Sequence, residues 1–455
     1  MQDSADFKKI IERLEHAGIK KVKVAVADID GVLRGKYLHF DKFASAAQST
    51  FGFCNVVLGW DASDVCYDNI KYTGWHSGYP DALVELDPET ERTVPWDNHV
   101  PFFLGHFVSS DLQPLSICPR QTLRRICDKA EAMGFTAKNG MEFEWFNFRE
   151  SAKSLDAKGY IRPEPITPGM FGYSLIRAGQ ERDYFNALMD ELTAFGVPIE
   201  GLHTETGPGV YEAAILYGGA LESADRATLF KAGAKDIAAR FGIMPSFMAK
   251  WNQSLPGCSG HMHQSLWNKN GENAFYDSAD TNKMSEIFKS YLAGQLKLLP
   301  ELLPFFAPTV NSYKRLVDGY WAPVKPTWGI DNRTVSHRVI PGSDKSTRLE
   351  VRVSGSDVNP YLSVAASLAA GLYGIENKLK LEEAPVKGSA YAESKVARLP
   401  HNLLDATRRL ADSKIAREIL GVELIEHFVA TREWEWRQFQ DAVTDWETRR
   451  YFEII

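Results

Sequence analysis

Gly140-Met-Glu-Phe-Glu-Trp-Phe-Asn-Phe148 sets two carboxylates, Glu142 and Glu144, at every-other-residue spacing inside an apolar run. Alternate side chains of a strand share a face, so both acids point one way and Phe143 points the other. The same device recurs twice. His261 and His263 alternate around Met262 in Ser259-Gly-His-Met-His-Gln-Ser265, and Glu350 and Arg352 alternate around Val351 in Arg348-Leu-Glu-Val-Arg-Val353. Carboxylates and imidazoles aligned on one sheet face are costly to bury unless a cation or hydrogen bonds compensate them. Their repetition predicts a sheet whose concave side holds metal ions.

The rest of the chain reads as a large soluble globular protein. Its 455 residues are 44% hydrophobic and 24% charged, an ordinary globular composition long enough for two or more domains, one of them large. A net charge of −7 excludes a nucleic-acid binder that works through overall basicity. Lys and Arg gather near the motifs of the second half, which suits anionic small molecules better than a polymer. Five cysteines (Cys54, Cys66, Cys118, Cys127 and Cys258) contain no C-x-x-C and are odd in number, the pattern of a reducing compartment. With no apolar run of membrane-spanning length and no signal-peptide pattern, the expected location is cytoplasmic, with no membrane and no nucleic-acid partner.

Residues 5–17 have helical periodicity through Phe7, Ile10, Ile11 and Leu14, followed by strand patterns at 22–28 and 32–38 around an Asp30-Gly31 turn. A Gly-, Asp- and Tyr-rich loop covers 59–81, and short strands are expected at 82–86 and 92–95. These make a small α/β module, residues 1–110, with a boundary near 111–114. The larger part, 111–455, carries expected helices at 119–133, 181–195, 224–241, 283–299 and 359–375, and a helical last 55 residues.

Glu200, Glu205 and Glu212 flank the turn Thr206-Gly-Pro-Gly209, which can bring carboxylates from two strands together. With Glu142, Glu144, His261 and Glu350 they form an oxygen-rich set containing one or two imidazoles, which favours Mg²⁺ or Mn²⁺ over zinc. Any one of these acids alone reads as a solvated strand residue or an ion-pair partner; the set, embedded among apolar neighbours, does not. A cationic series follows: Arg315, Arg333, Arg338, Lys345, Arg348 and Arg352. Broken by Gly and Pro, it suits carboxylate and phosphate oxygens, the alternative being a salt-bridged surface. Acids with arginines are the equipment of phosphoryl transfer, and the absence of G-x-x-x-x-G-K-[ST] means that no P-loop holds the nucleotide.

Taken in order, these motifs resemble the glutamine synthetase family over essentially the whole chain. The resemblance rests on Gly140-Met-Glu-Phe-Glu144, Glu205 with Gly207-Pro-Gly-Val-Tyr-Glu212, Phe247-Met-Ala-Lys250, His261-Met-His263, Asn311-Ser-Tyr-Lys-Arg315, Asn332-Arg333 through Arg338, Arg348-Leu-Glu-Val-Arg352 and Asn359-Pro-Tyr-Leu362. Each is weak alone; their ordered combination is specific. It implies an α+β fold with a small N-terminal β-grasp domain and a large C-terminal catalytic domain built on a curved antiparallel sheet flanked by helices. It also implies stacked rings of subunits, a dodecamer being the expectation, with active sites shared between neighbours. By motif position, Glu144, Glu205 and Glu212 would hold one metal ion, and Glu142, His261 and Glu350 a second, with two or three ions of Mg²⁺ or Mn²⁺ per site. Glu200, His263, Ser265, Arg338, Lys345 and Arg348 would contact ATP. Arg315 and Arg352 would hold the glutamate carboxylates, Gly257 would belong to the loop seating that substrate, and Arg333 would face the transferred phosphate. The implied reaction forms γ-glutamyl phosphate, which an amine then attacks.

Departures from the family pattern bear on the amine. Where glutamine synthetases carry a glutamate that closes the ammonium pocket, this chain reads Arg315-Leu-Val-Asp-Gly-Tyr-Trp-Ala-Pro323, placing Trp321 there. An indole accepts no proton and carries no anionic charge, but offers a π-face to a larger cationic or alkyl amine. The usual Phe-Asp-Gly-Ser-Ser appears as Trp60-Asp-Ala-Ser-Asp64, so Asp61 is kept and Asp64 adds a carboxylate. Related γ-glutamyl–polyamine ligases also place an aromatic residue at the Trp321 position. The loop before His261 is altered to Gly257-Cys-Ser-Gly260, and Val210 replaces a common glutamine. The expected activity is ligation of glutamate to a polyamine or other alkylamine. The alternatives are ordinary glutamine synthetase and a non-catalytic ring scaffold, the latter disfavoured because the acidic set is complete.

Overall fold

A computed structural model describes residues 2–455. Helix α1 (Gln2–His16) precedes strands β1 (Lys21–Ala27) and β2 (Leu33–His39), helix α2 (Phe40–Ala47), and strands β3 (Phe51–Cys54), β4 (Asp81–Leu86), β5 (Arg92–Val94) and β6 (Val100–Val108). These strands form one mixed sheet in the order β2-β1-β6-β4-β3, with β5 also on β6; β1 and β6 run parallel and the other pairs antiparallel. Pleating divides β1 and β6 between two cores. Val22, Val24, Val26, Phe103 and Phe107 pack with α1 and α2, where Phe43 stacks on Phe103 at 5.0 Å. Ala25, Ala27, Phe102 and Leu104 face the larger core of the remaining chain. Burial on both faces explains why Val100–Val108, buried throughout, shows no alternation in its sequence and lies outside the strands expected above.

Beyond residue 118 come α3 (Pro119–Ala132), β7 (Phe135–Phe148), the short helices α4 (Ala152–Ala157) and α5 (Leu175–Gln180), α6 (Arg182–Ala194), β8 (Ile199–Thr204), β9 (Val210–Ile215), β10 (Gly218–Gly219) and α7 (Ala220–Ala239). They are followed by β11 (Met244–Ser246), β12 (Gly260–Asn268), α8 (Glu286–Leu302), α9 (Ser312–Arg315), β13 (Trp328–Ile330), β14 (His337–Ile340), β15 (Arg348–Val351) and α10 (Pro360–Glu376). Helices α11 (Leu403–Asp412), α12 (Lys414–Leu420), α13 (Val422–Asp441) and α14 (Asp445–Tyr451) close the chain. The second sheet has nine strands in the order β13-β14-β15-β12-β7-β9-β8, with β10 and β11 also on β7. It is antiparallel except for the β13–β14 pair, which is parallel.

The apolar side of this sheet is the molecule's main core. Met141, Phe143, Trp145, Met262, Leu349 and Val351 are buried there with residues of α3, α7, α8 and α10, and Phe143 lies parallel to Phe230 at 5.9 Å. With those side chains committed to one face, Glu142, Glu144, His261, His263 and Glu350 take the other. A buried ion-pair network ties the segment after β4 to three helices: Arg120 of α3 reaches Asp87 and Asp225 of α7, each at 2.8 Å, and the Tyr361 hydroxyl of α10 donates to Asp225 at 2.7 Å. All five cysteines are unpaired. Among the described residues, no helix is long and apolar enough to cross a membrane.

Candidate functional site

Strand register assembles the polar face. Across β7 and β12, His261 pairs with Glu142; across β7 and β9, Glu144 pairs with Glu212; across β12 and β15, His263 pairs with Glu350. The β8–β9 turn supplies Glu205, and it requires glycine: Gly209 has φ +67°, and a Cβ there would stand 2.5 Å from the Asn147 carbonyl oxygen. The Thr206 amide and hydroxyl both donate to Glu205 Oε1 at 2.8 Å, fixing that carboxylate.

Three sets of potential ligand atoms result, each within 4.8 Å of one another: Glu142, His263 and Glu350; Glu142, Glu212 and His261; and His203, Glu205 and Glu212. Glu142 and Glu212 are each shared by two sets, so the sets form one continuous row. His263 Nε2 lies 3.1 Å from Glu142 Oε1, and His261 Nδ1 lies 3.4 Å from Glu350 Oε1. Glu144 sits beside Glu212 in register, but its Oε2 accepts from the Ser259 amide at 2.8 Å, and it belongs to none of the three sets. His203 completes the third set instead, 3.7 Å from Glu205 and 3.6 Å from Glu212, with Tyr173 stacked on its ring at 4.3 Å. The sequence reading missed His203, although the signal was present: His203 and Glu205 have the same alternate spacing as the other pairs.

The electrostatics favour a cation in this row. Burial, reinforced by Glu144, Glu142 and Glu205, pushes the Glu212 carboxyl well above the ordinary range. Burial also opposes ionisation of Glu142, but the charges and hydrogen bonds of His263 and His261 outweigh it and hold that carboxyl well below its usual value. Glu350 is likewise buried, yet Arg352, His261, His263 and Arg338 bring it down to about 2. Burial and the Arg352 charge lower His261, a shift towards the neutral imidazole that ligates metals, while Glu142 and Glu350 pull the other way. His261 Nε2 is buried without a hydrogen-bond partner. Mutually repelling carboxylates and an orphaned ring nitrogen fit a divalent cation.

Next to this row, a cavity of about 270 Å³ is lined by Glu142, Glu200, His263, Ser265, Lys345 and Arg348, among others. Arg348 Nε donates to His263 Nδ1 at 3.1 Å, which fixes the ring's orientation. Arg338 lies outside the lining and pairs with Glu350 at 2.8 Å and with Asp331. Arg315 is buried and donates to the Val353 and Arg352 carbonyls at 2.9 and 3.1 Å. Gly257 covers it so closely that a Cβ would stand 2.9 Å from Arg315 Cγ. Arg352 pairs with Glu350 and donates to the Arg333 carbonyl at 3.1 Å, while the Arg333 side chain is exposed.

The amine-pocket residues are not gathered in the same way. Trp321 is 59% exposed and adopts φ +60°. Asp61 caps its own loop, its Oδ1 accepting from the Ser63 and Val65 amides at 2.8 and 3.0 Å, and its Oδ2 accepts from Trp434 Nε1 at 2.9 Å. Asp64 is paired with Arg34 at 2.8 Å rather than standing free. Neither aspartate makes a hydrogen bond or ion pair to Trp321 or to the acid–imidazole row.

Known proteins resemble the chain over most of its length. Residues 116–451 match the family model described as glutamine synthetase, catalytic domain. Type-1 glutamine synthetase 2 of Dictyostelium discoideum is 58% identical over 95% of this chain and 84% of that protein. The glutamate–isopropylamine ligase of a Pseudomonas species is 37% identical over 98% of both chains, and the gamma-glutamylethanolamide synthetase of Streptomyces coelicolor is 37% identical over 96% of this chain and 93% of its own. The solved GmaS/ADP complex superposes with a TM-score of 0.85 at 28% identity, covering 97% of this chain and 99% of the other. With the acid–imidazole row, the flanking arginines and a match across three-quarters of its length, the chain belongs to the glutamine synthetase family of ATP-dependent carbon–nitrogen ligases.

Proposed function

We propose that the protein joins the γ-carboxylate of glutamate to a small primary alkylamine, with ATP activating the carboxylate as γ-glutamyl phosphate. The observation that carries this reading is Trp321, an exposed indole on a left-handed backbone where glutamine synthetases close their ammonium pocket with a carboxylate. The 37% identical relatives named for isopropylamine and ethanolamide support an amine larger than ammonia.

Under this reading Arg315 and Arg352 orient glutamate, with Gly257 packed directly against the Arg315 stem. Glu200, His263, Ser265, Arg338, Lys345 and Arg348 hold the nucleotide, and the exposed Arg333 meets the transferred phosphate. Glu142, His261 and Glu350, with Glu144, Glu205 and Glu212, hold two or three Mg²⁺ or Mn²⁺ ions; His203 joins the second group. Such ions, when bound, neutralise charge on the phosphoryl oxygens. Trp321 walls the amine's alkyl part and limits water, which would hydrolyse an acyl phosphate. Asp61 binds the incoming ammonium group and takes up its proton, reaching the site of an adjacent copy within a ring; in its own chain its Oδ2 accepts from Trp434 of α13.

A second reading, ordinary glutamine synthetase, is favoured by the 58% identical relative bearing that name. Phosphate release with glutamate, ATP, Mg²⁺ and a panel of ammonium, methylamine, isopropylamine, ethanolamine and putrescine separates the two. An alkylamine is expected to exceed ammonium in kcat/KM by at least about tenfold, the discrimination that a methylene or two allows. Comparable use of ammonium would establish the second reading, and silence with every amine would leave a non-catalytic relative.

A further inference from the structure

We infer that Arg34 is a specificity-determining residue that neutralises Asp64 and so restricts the acceptor to amines carrying one positive charge. This rests on the amine-ligase reading above and narrows its substrate class. Asp64 is the carboxylate that this loop has in excess of the family pattern, and a free acid there would recruit the distal ammonium of a diamine. It is not free. Arg34 of β2 places one terminal nitrogen 2.8 Å from Asp64 Oδ1, with its Nε 2.9 Å from Asp28 Oδ2.

Three features hold that guanidinium in place. Asp28 is 2% exposed and is itself fixed by the Asp30 and Val32 amides, which donate to its Oδ1 at 3.0 and 2.8 Å. The indole of Trp60 lies 4.9 Å from the Arg34 guanidinium, a cation–π contact. Asp64 is presented at φ +62° by the turn that Asp61 caps, its amide donating to the Asp61 carbonyl at 3.0 Å. The guanidinium thus lies between a buried acid and an exposed one. A second ammonium approaching Asp64 meets a like charge at contact distance, whereas an alkyl or hydroxyl tail does not. Asp61, whose oxygens face the loop amides and Trp434 with no cationic partner, remains the acceptor for the reacting ammonium.

The test compares butylamine with 1,4-diaminobutane, equal in carbon count and unequal in charge, in wild type, Arg34→Gln, Asp64→Asn and the double variant. Wild type is expected to favour butylamine. Arg34→Gln should raise the diamine-to-monoamine ratio of kcat/KM about fivefold, the size of a partly exposed ion pair, and the double variant should lose that gain. Asp64→Asn alone should lower the ratio. A merely structural role would reduce both amines together, leaving the ratio unmoved. If Arg34→Gln fails to fold, Arg34→Lys should keep the wild-type ratio and Asp64→Asn should still lower it. A ratio within twofold of wild type in all variants, or a gain that persists without Asp64, overturns the inference while leaving the ligase reading intact. A wild-type enzyme that uses ammonium alone overturns both.

Discussion

Glu212→Gln is expected to reduce amine-dependent phosphate release about a thousandfold, the several kcal/mol that a correctly held cation contributes to phosphoryl transfer, while making the metal-free protein more stable. The two effects have one cause. Glu212 is shared by two of the three ligand sets, so removing its charge weakens both. Without a cation, its buried carboxylate is repelled by Glu144, Glu142 and Glu205, and its pKa is raised well above the ordinary range. A carboxyl raised in the folded state binds more protons folded than unfolded, so its ionisation destabilises the fold as pH rises above the unfolded value, and fully so above the folded value. At pH 8 in EDTA the variant should therefore melt higher than wild type, and the gap should close as pH falls below the ordinary carboxyl value of 4.5, where the wild-type side chain becomes neutral in both states. Adding Mn²⁺ should reverse the order, because a ligand at a hundredfold excess over its dissociation constant stabilises by about 2.7 kcal/mol and the variant forfeits most of that. Thermal melts with and without metal at three pH values check this. A variant less stable than wild type in EDTA at pH 8 would mean that Glu212 is an ordinary hydrogen-bond partner and the row is no cation site.

The row itself was legible in the sequence because β7, β12 and β15 each have one apolar face and one polar face, so period-2 alternation survives in the letters. Glu142, His261, His263 and Glu350 meet for that reason, and His203 could have been found by applying the same rule to His203-Thr-Glu205. Alternation is erased where a strand is buried on both sides, as in β6, and is too short to register in β13, with three residues. The loop carrying Asp61 and Asp64 was recognised from local sequence, but its partners were not. Arg34 lies thirty positions earlier and Trp434 far later, and only the packing of the β1–β2 hairpin and α13 around the loop brings them together. Local pattern specifies which face a side chain takes; it does not specify which distant side chain meets it there. That distinction matters for Asp64, whose added charge reads as an invitation to diamines until Arg34 is placed against it.

Trp321→Glu should shift the ratio of kcat/KM for ammonium over isopropylamine about a hundredfold towards ammonium. Two contributions add. A carboxylate gives ammonium a charge-assisted hydrogen bond, about 1.5–3 kcal/mol, and loss of the indole removes roughly 1 kcal/mol of contact with the alkyl group; together they approach the 2.7 kcal/mol of two decades. The conformation of Trp321 supports a functional placement. At φ +60° a bulky residue sits where L-amino acids carry strain on the order of 1–2 kcal/mol, and with 59% of its surface exposed the ring gains little from its own chain in return. Trp321→Ala separates the contributions, since it removes the indole without adding a base and should move the ratio only about fivefold. Equal ratios in the Ala and Glu variants would show that the carboxylate does not reach the acceptor. A ratio unchanged from wild type in both would assign the exposed indole to a contact between copies of the chain, leaving the choice of amine to the loop that Arg34 and Trp434 hold in place.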